Sequence, residues 1–482
     1  MRRSSEPEKS LMKTAITLDG SAWSRLRSVF RHRPDTLDPA RGRSRERYRR
    51  AALSGLTILL GKVLTAATSL ITVRLTLNYL GAERYGMWMT ISSVVLMFGT
   101  ADLGISSGLV NLIADATGRS DITAAKTATA SALVMLSGVA VIISIAMIIV
   151  YPFLNMARLF NVYSPVAIRE SGPALLIFFY CFVGNLPLGA VRGTQTGLQK
   201  GFVNGLWSIL GTLISLGALL LAIYLHQGLP ILILSLLGPT ILTSILNAAE
   251  LFGWSHPELM PSFRNFSRAS ASRLLRTGLM YFLLQLSLTI GMQTDNVVIA
   301  QIMGAKAVTD YAVPARLFNV LVALVGMFYM TLLPAYTEAL ARSDGPWIRR
   351  TFLRVAATGI GANAVLAVML MLFGNRILAL WVGNQFQASK GLLLALGLMC
   401  IVSSFVGSAS TLLNGLGKFR AQVVFGLLMA VVNLALSIIL VKHLGIVGAA
   451  VGTVAALTFV QLVPMLVLTR RSLKELEHTR AL

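Results

Sequence analysis

Five charged side chains interrupt stretches of sequence that are otherwise apolar: Lys62, Arg74, Asp102, Asp295 and Arg316. A charge at the centre of a bilayer costs on the order of 3 kcal/mol or more, so such residues face water, pair, or bind cargo. Lys62, Arg74 and Arg316 are bases. Turned together into a water-filled cavity, with Asp295 beside them, they would receive an anionic substrate. The guanidinium fork suits phosphate because its N–H donors can pair with two oxygens at once. An alternative reading pairs Asp295 with Arg316 as a structural bridge and lets Arg74 extend to the nearer surface. Asp102 is followed by Gly104, Ser106, Ser107 and Gly108. Small residues let helices approach closely, so this run reads either as a packing seam around a satisfied carboxylate or as an ion-coupling site. Asn204, Asn247, Asn363 and Asn433 read as hydrogen-bond glue between helices.

The elements that hold these residues are membrane spans. Hydrophobic residues make up 55% of the 482 and charged residues 13%, about half the charge of a soluble domain. Apolar stretches recur at roughly 51–80, 86–114, 122–151, 172–191, 201–225, 229–250, 274–302, 311–338, 350–373, 388–412, 420–441 and 445–469. Many approach the ~20 residues that cross ~30 Å of hydrocarbon. The run Val139 to Val150 is apolar on every side, which excludes the alternation of a barrel strand and leaves helices. The fold class is therefore all-α, an integral membrane protein of about twelve transmembrane helices. Five segments follow: a basic, largely disordered arm at 1–50, a first half at 51–250, a basic linker at 251–273, a second half at 274–469 and a tail at 470–482. Within the arm, Trp23, Leu26, Val29 and Phe30 offer one short amphipathic turn for the membrane surface.

Charge gives the spans a direction. With the amino terminus inside, 32 Lys/Arg fall on the cytoplasmic side and 7 on the outer side, a bias that fixes orientation and places both termini inside. The net charge of +23 is thus a topology signal, concentrated in the arm against anionic lipid head groups, and not a nucleic-acid groove. On this orientation Lys62 lies near mid-span and Arg74 roughly 9 Å below the outer surface, at ~1.5 Å per residue. Asp295 and Arg316 share the outer third on consecutive helices. Cys181 and Cys400 lie in apolar segments with no disulfide or metal-ligand spacing. The first apolar stretch begins too late and runs too long for a signal peptide. Phosphate-cradling loops, paired histidines and nucleophile elbows are absent from the sequence, so no enzyme and no cofactor is expected.

The halves repeat. Leu80-Gly81-Ala82 matches Met303-Gly304-Ala305 at an offset of 223 residues, and Gly197-Leu198-Gln199-Lys200 matches Gly415-Leu416-Gly417-Lys418 at 218. His226 and His443 fall at 217, and Cys181 and Cys400 at 219. Six spans per half make the repeats parallel, an arrangement whose substrate sites lie between the repeats near the midplane.

The chain resembles the polysaccharide (O-antigen type) flippases of the multidrug/oligosaccharidyl-lipid/polysaccharide exporter superfamily over roughly residues 50–470. The residues that carry the resemblance are Leu80-Gly81-Ala82-Glu83-Arg84-Tyr85-Gly86-Met87-Trp88, Asp102-Leu103-Gly104-Ile105, Leu159-Phe160-Asn161-Val162 and Trp381-Val382-Gly383. The resemblance implies two six-helix lobes in a V that alternates its opening. It also implies a cargo, an undecaprenyl-diphosphate-linked oligosaccharide moved from the cytoplasmic to the periplasmic leaflet of a bacterial inner membrane. Polymerases of the same polysaccharide pathway are the implied partners, and a proton or sodium gradient the implied drive. Two other functions compete. A multidrug exporter of the same superfamily would favour acidic and aromatic linings, and a membrane glycan polymerase or ligase would carry a large outer loop.

Overall fold

The computed structural model describes residues 39–98, 102–383, 386–418 and 420–478. The expectations for residues 1–38, disorder and the amphipathic turn, lie outside them. The described chain is helical with no strand, running as α1 (Pro39–Met97), α2 (Ile105–Gly118), α3 (Ile122–Val150), α4 (Met156–Phe160), α5 (Pro165–Asn185), α6 (Leu188–Gly197), α7 (Gly201–Tyr224), α8 (Leu229–Glu250), α9 (Arg268–Met303), α10 (Ala305–Ala341), α11 (Gly345–Val382), α12 (Lys390–Gly415), α13 (Arg420–Leu444), α14 (Ile446–Ala456) and α15 (Val463–His478). The helix opens at Pro39, inside the arm that was expected to be disordered to residue 50. Proline at a first helical position and the good helix formers Arg and Glu after it account for that.

Ten stretches among the described residues are long and apolar enough to cross a membrane, against about twelve expected. Leu60–Met97 counts once, although Gly81 (φ 76°, ψ 170°) divides it into two limbs. Straight, its 38 residues would reach about 57 Å at ~1.5 Å each, nearly twice the hydrocarbon thickness. The helix α9, which opens with Arg268, Arg273 and Arg276 and holds Asp295, is not among the ten.

The sequence repeat reappears as repeated backbone. Gly81 at φ 76°, ψ 170° and Gly304 at φ 90°, ψ 165° turn the chain in one and the same way. Gln199 and Gly417, matched at the 218 offset, are both left-handed. A further match escaped the sequence reading: Arg119-Ser120-Asp121 and Arg342-Ser343-Asp344, offset by 223 residues. Both serines are left-handed at φ 57°. Asp121 and Asp344 cap the next helix by accepting from Ala124 N and Trp347 N, and both arginines pair with an acid four residues back, Asp115 and Glu338.

Two expected spans are broken. The stretch 86–114 is interrupted before α2, where Leu103 (φ 51°) and Gly104 (φ 70°) are left-handed and the Asp102 carboxylate accepts from Gly104 N at 2.8 Å. The stretch 172–191 parts between α5 and α6 at Leu186 and Pro187, since proline carries no N–H for the helical ladder. Its neighbours shift too. Asn155 and Ser164 cap α4 and α5, so most of the connection expected between the stretches ending at 151 and starting at 172 is helical.

A seam joins the first set of helices to α9 and α10. Glycine permits it, because a Cβ on Gly86 would fall 1.7 Å from the Ala305 carbonyl oxygen, and one on Gly104 2.0 Å from that of Gly278. Hydrogen bonds fasten it at the Gly81 end of the bundle. Thr309 donates to Ala82 O at 2.6 Å, Asn161 Nδ2 to Ala300 O at 3.2 Å, and Gln301 to Leu159 O. The residues Leu80 to Trp88 and Leu159 to Val162, which carried the resemblance, therefore build this seam. Arg84 also braces it from behind, with bidentate bonds of 2.7 Å to Glu170.

Candidate functional site

The first limb of α1 and the helix α10 hold the bases. Lys62 and Ser69 stand seven residues apart on α1, nearly on one face and about 10 Å apart along the axis. Arg316 of α10 reaches across to that face and donates from Nε to Ser69 Oγ at 2.7 Å. Lys62 and Arg316 are both exposed. With Nε engaged, the terminal nitrogens of Arg316 keep a free pair of parallel donors among the described contacts. Trp381 of α11 fixes the neighbouring stretch of α1, donating to Leu70 O at 2.8 Å.

Arg74 is exposed but stands elsewhere. It lies about 120° around α1 from Lys62, in line with exposed Leu60, Ala67 and Ile71. The structure thus brings Lys62 and Arg316 towards one face and leaves Arg74 off it.

Asp295 does not pair with Arg316. It is buried and turned into a cage of hydroxyls from three other helices. Its Oδ2 accepts from Tyr311 of α10 at 2.8 Å and Thr453 of α14 at 2.8 Å, and its Oδ1 from Ser437 of α13 at 3.1 Å. Asn433 donates its amide to Gly291 O at 3.1 Å, which points its own oxygen inward. That oxygen lies 3.0 Å from Thr453 Oγ1 and 3.3 Å from Ser437 Oγ. Each hydroxyl has a single proton to donate. Five close oxygen–oxygen contacts are therefore served by three protons, and two oxygen pairs face each other bare. A metal cation drawn among these oxygens would serve both pairs, and a proton on the carboxylate would serve one.

Asp102 occupies the packing seam of its first reading. It is half-buried, spends one oxygen on Gly104 N, and stands within electrostatic reach of Arg192. Arg192 was expected in a connection; instead it is part-buried on α6, held by Asn185 Oδ1 at 2.7 Å. The other asparagines serve as the expected glue. Asn247 and Gln195 exchange bonds of 2.6 and 3.0 Å, and Asn363 donates to Ser404.

Sequence reasoning missed Ser69, Tyr311, Ser437 and Thr453. The one signal available was Asn433 and Ser437 four apart, polar on one face of an apolar helix. Among the described residues no group of three or more His, Cys, Asp or Glu is placed to hold a metal ion. The cage differs in having one carboxylate among neutral oxygens.

The sequence matches the family model described as polysaccharide biosynthesis protein over residues 53–340. A protein of Salmonella typhi, named provisionally as an O-antigen transporter, is 22% identical over 289 residues; the match takes in 58% of this chain and 63% of that protein. The chain thus spans less than two thirds of that relative's length. A multidrug resistance MATE family transporter of the MOP superfamily, solved facing inward, superposes with a TM-score of 0.75 at 19% identity, covering 87% of this chain and 96% of that one. A lipid II flippase in an inward closed conformation gives 0.67 at 14% identity over 87% of each chain. At such identities the likeness is one of fold, a multi-pass helical bundle.

Proposed function

Since the chain belongs to the polysaccharide biosynthesis protein family, we propose that it flips a lipid-linked oligosaccharide, joined through undecaprenyl diphosphate, across a bacterial inner membrane by alternating access. One observation carries the choice of cargo: of the five charges that interrupt the apolar stretches, the exposed ones are bases. Lys62, Arg74 and Arg316 are exposed, whereas Asp295 is sealed and Asp102 half-covered opposite Arg192. Lys62 and the free fork of Arg316 suit the two phosphates of such a link. A multidrug exporter that takes organic cations would need the opposite sign. The positive-inside bias of 32 to 7 supports cytoplasmic termini, with the Gly81 end outside.

The drive in this reading is a cation, sodium or a proton, taken into the Asp295 cage. Five close oxygen–oxygen contacts served by three protons, gathered round a buried carboxylate, support this reading, because an ionisable group inside a helical bundle marks an ion or proton pathway. We place coupling there in preference to Asp102, whose carboxylate already has a backbone donor and a nearby base. A deletion strain tests the reading. The lipid-linked oligosaccharide should accumulate on the cytoplasmic leaflet, with drug susceptibility unchanged. Normal surface polysaccharide together with new drug susceptibility would overturn it in favour of the exporter.

A further inference from the structure

We propose that Tyr311 and Asn296 are positioning residues that couple the charge state of the Asp295 cage to the seam closing the Gly81 end. The inference rests on the reading of the cage as a coupling site. Each residue ties the cage to the seam through one helix. On α9, Asp295 faces the cage while its neighbour Asn296, about 100° round the helix, donates to Ser93 Oγ, on the second limb of α1, at 2.9 Å. The Asn296 Oδ1 atom is buried and has no partner among the described residues, so the Nδ2 bond to Ser93 is the one described hydrogen bond of its side chain. On α10, Tyr311 donates to Asp295 Oδ2 at 2.8 Å, and Thr309, two residues earlier, donates to Ala82 O at 2.6 Å. Ala305, one turn before Thr309, is the residue whose carbonyl presses on Gly86.

A cation among Asp295, Asn433, Ser437 and Thr453 would draw those oxygens together and turn the hydroxyl lone pairs inward. The Tyr311 hydroxyl bonds the carboxylate alone and has no contact with Asn433, Ser437 or Thr453 among the described bonds, so it remains a donor in both states. Any shift of the carboxylate is thereby passed to α10 and on to Thr309 and Ala305. The same shift of α9 pulls on Ser93 through Asn296. Packed interfaces of this kind switch between discrete arrangements and do not deform smoothly, so a small movement at the cage is enough to select an open or a closed seam. The cation can bias that choice only by as much as it prefers one arrangement. Tyr311 and Asn296 create the preference.

The test uses the full chain in nanodiscs, with Cys181 and Cys400 replaced by alanine and spin labels at Arg169→Cys and Lys306→Cys. Both labelled positions are exposed, at the Gly81 end, on opposite sides of the seam. In the otherwise native background, sodium in place of potassium should change the distance distribution. Tyr311→Phe keeps the ring and removes only the hydroxyl. It should bind sodium close to the native affinity, because the Tyr311 hydroxyl donates to Asp295 with and without the ion, yet lose the distance change. Asn296→Ala, which lies outside the cage, should blunt the change without altering sodium binding. A full distance change in both variants would overturn the coupling role and leave the cage intact. Failure of the native protein to bind or respond to sodium, and equally to protons supplied by acid pH, would overturn the cage reading and the coupling with it. Among the described residues, Tyr311 is the one other titratable group acting on the Asp295 carboxylate from the helices around it.

Discussion

Replacing Arg316 by alanine should weaken binding of the lipid-linked diphosphate by about 10- to 150-fold. The figure follows from the geometry. Ser69 holds Nε at 2.7 Å, so the guanidinium plane is set before cargo arrives and the terminal nitrogens are left for two phosphate oxygens. Hydrogen bonds of this charged kind contribute about 1.5–3 kcal/mol, which converts to that range at about 1.4 kcal/mol per tenfold. Arg316→Lys keeps the charge and loses one of the two parallel bonds, so its loss should sit at the low end of that range, about tenfold. Ser69→Ala keeps the whole guanidinium but frees its plane, and should fall in the same small range. Binding is measured on purified protein in nanodiscs, by native mass spectrometry or by titration with a fluorescent lipid diphosphate. The order Ala, then Lys and Ser69→Ala, then native is the signature. If Arg316→Ala binds within twofold of native while still folded, no phosphate touches Arg316 and the cationic-face argument fails.

Other expectations can be checked with the same protein. Arg74→Ala should reduce diphosphate binding far less than Lys62→Ala, because Arg74 stands about 120° round the helix from the shared face; equal losses would place the cargo on the other side of α1. Gly86→Ala puts a methyl within 1.7 Å of the Ala305 carbonyl, so the seam must part. The melting temperature should fall, by an overpacking cost of about 1–3 kcal/mol, and the spin-label distance at the Gly81 end should lengthen. In the segment after α8, a hydrogen bond from His256 holds the Glu258 carboxyl below its usual range. A lowered folded value means that this tie is intact above the ordinary glutamate pKa and is lost as pH falls through the folded one. Proteolysis between residues 255 and 267 should therefore stay flat down to about pH 4 and rise below it; a rise near neutrality would contradict the assignment.

Much of this architecture was legible because lipid imposes it. Long apolar runs must be helices, and their connections keep the turn chemistry that chain reversal needs, which is why Gly81 and Gly304 show up both as a sequence match and as one backbone shape. The breaks at Leu103 and Pro187 were less visible, since polar and glycine-rich stretches in a span serve packing as readily as interruption. The reading of Asp295 failed for a geometric reason. Equal depth on adjacent helices does not imply the same facing, and Asp295 turns towards Ser437 and Thr453, 142 and 158 residues away. No local pattern announces a cage assembled across such distances. Arg192 was placed in a connection because it directly follows the apolar stretch 172–191, yet the Asn185 carboxamide gives it a partner inside the bundle.

The central claim, that this chain moves a lipid-linked oligosaccharide using an exposed basic face, is tested most directly by reconstitution. Purified protein is placed in liposomes loaded with the lipid-linked oligosaccharide, and a glycosidase or lectin added outside reports the sugar that reaches the outer leaflet. The account predicts movement with the native protein, faster with an imposed sodium or proton gradient, and its loss with Lys62→Ala combined with Arg316→Ala. An unchanged rate in that double variant, or transport of organic cations with the oligosaccharide left in place, would contradict it.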